Sequence, residues 1–345
     1  MRRYLLLTSA VAVLMGCLSS CSSEEESLPI PETNSVTFSI GINAQTRAAQ
    51  ALDVNAYDAK MYLFEEKKAD DGTLSYSYKN EVNITASALN ESDELTIGGL
   101  TEGKKYKAVF LARPKNQTPA LPTFSTTKPS YKEAKAQYIS NNEIDKDIFR
   151  SIVSFTFSSG METQSTVLTR QNGALEVRLK NMTGVKSLKL HALGHQWMYL
   201  EDGTGGMVIT DGDETRVALE KNMGEEEILQ NPQDVRIRLN ILPQEDITSK
   251  TNDDFYLEIT LADKTTKKYP IKSDQRPIPI YPNQVTWLTL TDMDGFFDVN
   301  FDDNGINLDD NLWDGWDEYY VEYGRDKKNV EYGWDENYIE YYVEY

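Results

Sequence analysis

Two cysteines and two histidines are all that the 345 residues contain, so few candidate ligands that a zinc cluster is all but excluded. The cysteines, Cys17 and Cys21, lie four residues apart, and a disulfide between them would staple nothing. Basic residues are also in short supply. Lys and Arg number 35 against 55 Asp and Glu, giving a formal charge of -20. That balance speaks against nucleic acid, because phosphate binding needs clustered cations to displace counterions. No Gly-x-Ser-x-Gly nucleophile elbow is present, and the apolar run 4–16 is too short to span a bilayer as a helix. Apolar residues make up 39 %, which is low but enough for two cores, and the length has room for about two domains.

What is present begins with a targeting signal. Arg2 and Arg3 precede the apolar run, the build of a secretory signal peptide. Each cysteine closes a small-residue box, Leu14-Met15-Gly16-Cys17 or Leu18-Ser19-Ser20-Cys21, and this pattern resembles a bacterial lipobox. Cys21 is the preferred lipidation site and Cys17 the alternative, since Ser22-Ser23-Glu24-Glu25-Glu26 follows Cys21 at once. An acidic stretch in that position resembles the surface-export signal of some Gram-negative lipoproteins. The other reading is an ordinary cleaved signal with incidental cysteines. The mature lipoprotein then has no free thiol, and no cofactor is implied.

Past a spacer containing Pro, the body reads as strands. Val36, Phe38, Ile40 and Ile42 alternate with small and polar residues, the period-two pattern of a half-buried strand. Similar runs recur at 60–66, 75–79, 94–97, 106–112 and 152–157, with one short helix expected at 132–139. A second set follows at 174–180, 185–193, 216–219, 235–242, 255–261 and 284–290. Strands at near-regular spacing with few helices indicate an all-β protein of two antiparallel β-sandwiches. The boundary falls near 158–173, a stretch rich in Ser, Thr, Gly and Gln. The resulting division is 1–21 signal and lipobox, 22–34 acidic spacer, 35–165 and 166–292 sandwiches, and 293–345 tail.

The tail differs in kind. Residues 291–345 hold 17 acids, 3 bases and 14 of the 36 aromatics. Three nine-residue copies occupy 316–324, 325–333 and 334–342, repeating Asp, Val or Ile, Glu and Tyr. One reading is a duplicated, solvated acidic tail. The other is a strand that pairs with another chain, since Ile339, Tyr341, Val343 and Tyr345 alternate with Glu340, Tyr342 and Glu344.

Three local patterns approach known chemistry and fall short. Residues 98–105 nearly spell a phosphate loop, but Lys105 stands where Ser or Thr should hold magnesium, and a strand follows where a helix is needed. A hairpin turn is expected there instead. His191 and His195 are four apart, a ligand spacing only on a helix, and here they flank a strand-like stretch; a structural role is expected. Asn300, Asp302 and Asn304 with Gly305 match the start of a calcium loop, but Asn311 replaces the bidentate twelfth-position Glu. An acidic linker is the competing reading.

Taken in order, several segments resemble fimbrillin-type subunits of type V pili, the Mfa-like lipoproteins. They are the lipobox, the strand 35–43, Gln45-Thr46-Arg47-Ala48-Ala49, Lys60-Met61-Tyr62-Leu63-Phe64, and the runs 103–112, 168–177 and 279–286. The resemblance covers roughly 1–292, and the nine-residue repeat departs from it. It implies transthyretin-like sandwiches, export as an outer-membrane lipoprotein, cutting by an Arg-specific surface protease, and loss of the first strand. The vacated groove would then accept a donor strand from the next fimbrial subunit. Arg47, with Ala48 after it, is the expected cleavage position, a lone basic residue among small ones just past a strand; an ordinary loop arginine is the alternative. The tail strand Ile339, Tyr341, Val343, Tyr345 is the candidate donor. A surface lipoprotein binding a glycan or host protein through Trp313, Trp316 and Trp334 is the second function class, and an enzyme is not expected.

Overall fold

The structure, a computed structural model, describes residues 34–43, 53–91, 93–115, 117–139, 147–180, 184–203, 208–212, 216–247, 253–271, 278–290, 297–300, 330–335 and 338–343. In the first half run β1 (Val36–Asn43), β2 (Tyr57–Lys68), β3 (Leu74–Ile84), β4 (Leu95–Ile97), β5 (Lys105–Pro114), β6 (Lys135–Gln137), β7 (Phe149–Thr156) and β8 (Gln164–Arg170). The second half holds β9 (Gly173–Lys180), β10 (Val185–Gly194), β11 (Trp197–Asp202), β12 (Val208–Thr210), β13 (Val217–Met223), β14 (Asp234–Ile241), β15 (Tyr256–Leu261), β16 (Thr266–Pro270) and β17 (Val285–Leu290). Then come β18 (Phe297–Asn300), β19 (Val330–Asp335) and β20 (Tyr338–Val343). Among the described residues, helix is confined to α1 (Ala86–Leu89), α2 (Glu225–Ile228) and a 3-10 turn at Val54–Ala56. The chain is all-β, built from stacked, mainly antiparallel sheets.

The strands 3-2-5-7-8-1-4 form one continuous sheet, but its middle is barely stitched. β7 and β8 share only the register pairs Phe149–Arg170 and Arg150–Thr169. At that weak seam the sheet divides into two parts that face one core. The layer β3-β2-β5-β7 then shares one apolar cluster with β8-β1-β4, joining Met61, Leu63 and Phe110 to Phe38, Ile40 and Leu168. The second half stacks β13-β10-β15-β16 on β14-β9-β17-β18, with Leu190, Leu257, Val177, Ile237 and Leu288 in a common core. A third small sheet, β12-β11-β6, pairs a first-half strand with second-half ones.

β2 and β5 are buried on both faces, and their composition shows why. Met61, Leu63, Ala108 and Phe110 enter one cluster, while Tyr62, Phe64, Val109 and Leu111 enter the other. A strand between two cores must be apolar throughout, so alternation gives way to a continuous run. Both halves repeat one arrangement. β1 lies parallel to β8 and antiparallel to β4, and β9 lies parallel to β17 and antiparallel to β14.

Three local expectations need correction. The helix at 132–139 is a single turn followed by β6. Ser130 donates its backbone N–H (3.1 Å) and hydroxyl (2.8 Å) to Glu133, as a helix start would. Buried Ala134, Ala136 and Tyr138 then follow period two, and pairing with β11 wins. The boundary region 158–173 contains a strand missed in the sequence, β8. Its inward positions are Thr166, Leu168 and Arg170, while Val167 is 50 % exposed, so no apolar alternation marked it. Residues 98–105 do form a turn, with Gly103 at φ 73, but not a hairpin. β4 belongs to one layer and β5 to the other.

The passage from β8 to β9 is clamped. Arg170 Nε lies 3.1 Å from Asp147, and its guanidinium packs over the Phe149 ring at 5.3 Å. Buried Asn172 accepts the Ile148 N–H at 3.1 Å, and its carbonyl accepts the Asn283 N–H at 2.8 Å. The segment Arg170-Gln171-Asn172-Gly173 therefore fixes where the second half begins.

Candidate functional site

The first strand is the feature on which the architecture turns. Val36, Phe38 and Ile40 are almost completely buried, and Ile42 packs against the same cluster. Phe38 meets Phe110 edge-on at 5.2 Å and Phe155 at 5.9 Å. On one side β1 pairs with β8 over six residues, Phe38–Gln164 to Asn43–Thr169. On the other it pairs with β4 over Val36–Ile97 to Phe38–Leu95. Thr37 and Thr96 add a hydroxyl contact at 3.1 Å, and Leu100 donates its N–H to Asn34 at 2.9 Å.

β1 is thus the central strand of a three-strand layer. Among the described residues its neighbours have little else: β4 pairs only with β1, and β8 is held to β7 at two positions. Taking β1 away would leave two unpaired backbone edges above an apolar floor that includes Met61, Leu63 and Phe110. Such an edge is a template for another strand. At the end of β1, Gly41 admits the Glu91 carboxylate, which lies 2.5 Å from where a Cβ would be.

Of the other sequence-derived site residues, Cys17, Cys21, Arg47, Ala48, Asp302, Asn304 and Tyr345 lie outside the described residues. Asn300 ends β18. Ile339, Tyr341 and Val343 lie on β20, which is not alone: it pairs antiparallel with β19, in the register Trp334–Ile339, Tyr332–Tyr341 and Val330–Val343. The two histidines go separate ways. His191 stacks on Tyr256 at 4.6 Å with Glu220 at 3.2 Å, and His195 sits 3.5 Å from Asp211. Among the described residues no cluster of three or more His, Cys, Asp or Glu could hold a metal ion.

A second constellation was not foreseen. On the face of β9 and β14 turned away from the core, Glu176 is only 1 % exposed and receives hydrogen bonds from Arg178 (2.7 Å) and Arg238 (2.7 Å). Arg178 also lies over the Trp287 ring at 4.2 Å. Burial pushes the Glu176 carboxyl up, but Arg238 and Arg178 outweigh it and hold the group below the usual carboxylate range. The ion pair therefore stabilises the fold above the unfolded-state pKa of about 4.3, and that contribution is lost as pH falls through the lower folded value. Glu176→Gln is expected to cost about 1–3 kcal/mol at neutral pH and to flatten the acid limb of stability against pH. Urea unfolding across pH 3–7 checks this; an unchanged acid limb would refute it.

No family profile matches the chain, and no curated protein matches it. Among solved structures, it is similar to a fimbrial assembly protein from Parabacteroides distasonis, at 11 % identity over 76 % of this chain and 93 % of that one, TM-score 0.42. It is also similar to the tip fimbrial protein Mfa3 from Porphyromonas gingivalis, at 10 % identity over 77 % and 98 %, TM-score 0.43.

Proposed function

We propose that the chain is a non-enzymatic structural or accessory subunit of a cell-surface fimbria, supporting adhesion and built by exchange of its first strand. The observation that carries this reading is the place of β1: among the described residues it is the first strand, central in its layer, and the sole sheet partner of β4. Arg47, four residues past the end of β1, is the proposed cut, made by an Arg-specific surface protease. Cleavage there would sever the covalent link between β1 and the strands that follow it, leaving β1 held to them by sheet and core contacts alone. Lipidation at Cys21 would hold the precursor at the outer membrane until that cut.

The proposed donor is β20, with Ile339, Tyr341, Val343 and Tyr345 as the residues that enter a neighbour's groove. Main-chain bonds would supply affinity and alternate residues would set register. The dense acids around this strand would keep it from pairing indiscriminately beforehand.

One assembly assay tests the scheme. In cells, Arg47→Ala should leave a full-length chain, acylated at Cys21 by mass spectrometry, and remove essentially all polymer. A chain lacking 338–345 should be cut normally yet fail to extend polymers. Normal polymers from Arg47→Ala would overturn the cleavage reading, and normal polymers from the truncated chain would overturn the donor assignment alone.

A further inference from the structure

The small sheet β12-β11-β6 turns Met198, Leu200 and Ala136 into the core. Period two therefore puts Trp197 and Tyr199 of β11 on its other face, where the register sets them opposite Gln137 and Lys135 of β6. All four residues are partly exposed. The Lys135 ammonium lies 4.6 Å from the centre of the Trp197 ring and 5.7 Å from that of Tyr199. Lysines over two other rings are neutralised, Lys79 by Glu65 and Lys268 by Asp253. Lys135 differs: beyond the two rings, no hydrogen bond or ion pair holds its ammonium among the described residues.

The strand that carries the rings is held rigidly from behind. Trp197 donates its N–H to the Asp211 carboxylate at 3.0 Å, and its carbonyl accepts the Asp211 N–H at 3.3 Å. Buried Arg150 reaches over from β7 and donates to the carbonyls of Tyr199 at 3.1 Å and Glu201 at 3.2 Å. A ligand meeting this face would find the backbone beneath both rings already ordered, which lowers the entropy cost of binding. Alternate residues of a strand stand about 7 Å apart, so the two rings and the cation form one flat patch on the scale of a sugar ring or two.

The chemistry of the patch selects its ligand. A cation without a carboxylate partner complements an anion. Flat aromatic faces complement a flat apolar surface, and polar groups at their margin fix orientation. A carboxylated pyranose offers all three: a C–H face for the rings, a carboxylate for Lys135, and hydroxyls for the amide of Gln137 and the carboxylate of Glu201, which period two places on the same side of β11. A peptide strand is matched less well, because β11 already has β12 and β6 at its sides. The carbonyls of Gln137 and Tyr138, at the end of β6, already accept from buried Arg113, both at 3.3 Å.

We propose that the Trp197–Lys135–Tyr199 face binds an acidic saccharide, with a carboxylated pyranose lying against the rings and its carboxylate on Lys135. This gives the adhesion of the fimbrial reading a ligand class, and it stands or falls independently of cleavage and strand exchange.

Saturation-transfer NMR of the full-length chain with sialyllactose and with trigalacturonate tests the face, with lactose as the uncharged comparator. Transfer should reach the pyranose C–H protons, and at least one acidic sugar should bind several-fold more tightly than lactose. Lys135→Gln should remove that preference, while Lys135→Arg should keep it. Tyr199→Ala should weaken the acidic sugar several-fold, and Trp197→Ala should abolish its signal. Circular dichroism verifies the fold of each variant, and Trp197→Leu replaces the Ala variant if that one unfolds. No transfer to either acidic sugar, binding that survives the loss of both rings in a folded chain, or equally tight binding of a polyglutamate peptide would overturn the proposal. None of these outcomes bears on polymer formation, which the Arg47→Ala assay reads separately.

Discussion

Phe38→Ala is expected to lower the stability of the uncut chain by about 3–5 kcal/mol, the range for removing a fully buried aromatic. The Phe38 ring has no exposed surface and sits edge-on to two other rings. It also occupies the middle of the one strand that holds β4 and β8 together, so the hole cannot close by a small shift of an edge. Thr37→Ala, on the other side of the same strand, removes only an exposed hydroxyl contact and should cost about 1 kcal/mol or less. Urea titration checks both, and a loss for Phe38→Ala no larger than for Thr37→Ala would contradict the assigned face. The same arithmetic bears on assembly. Val36, Phe38 and Ile40 each contribute about 1.5–3 kcal/mol as an upper estimate. Their sum, on the order of 5–9 kcal/mol, is comparable with the whole stability of an ordinary domain, about 5–15 kcal/mol. A chain that lost β1 would need a replacement strand to keep its first sandwich closed.

Gly173→Ala is expected to be the most damaging single methyl in the second half, at about 3 kcal/mol or more. A Cβ there would lie 2.2 Å from the Tyr281 carbonyl oxygen and 2.6 Å from Ile280 Cγ2, with the Gln284 carbonyl at 3.1 Å. Two of these are backbone atoms, and they belong to the segment that leads into β17, the parallel partner of β9. Relief would require moving β9 or β17, and the Ala174–Gln284 hydrogen bond of 2.9 Å ties them at this point. Thermal unfolding should show a large drop in midpoint with soluble expression reduced. An unchanged midpoint would show that the approach relaxes without cost. Gly194, where Leu219 Cδ1 lies 2.4 Å from the built position, meets a flexible side chain instead and should tolerate Ala better.

The chain's local patterns determined a good deal unaided. Period-two alternation marked β1 and named the core residues Val36, Phe38 and Ile40, because a half-buried strand must separate its faces by residue type. The runs 60–66 and 106–112 marked β2 and β5 as strands of the same half-buried kind, and only the two cores showed that both their faces are covered. The segment Arg170-Gln171-Asn172-Gly173 falls at the end of the expected boundary 158–173, but its purpose as a clamp between Asp147, Ile148 and Asn283 depends on contacts far apart in the chain. Other features were decided only by the tertiary structure. β8 has Thr166 and Arg170 turned inward, and a strand that buries polar groups leaves no apolar rhythm to read. Residues 130–134 begin like a helix, and only the presence of β11 turns the next three into a strand. The ion-paired ladder of Glu176, Arg178 and Arg238 was invisible, since charged residues at alternate positions look like a solvated face until a second strand and an indole cover them. The central position of β1 likewise could not be read from its own residues: register and layer order arise from long-range pairing, whereas alternation reports only that one face is buried.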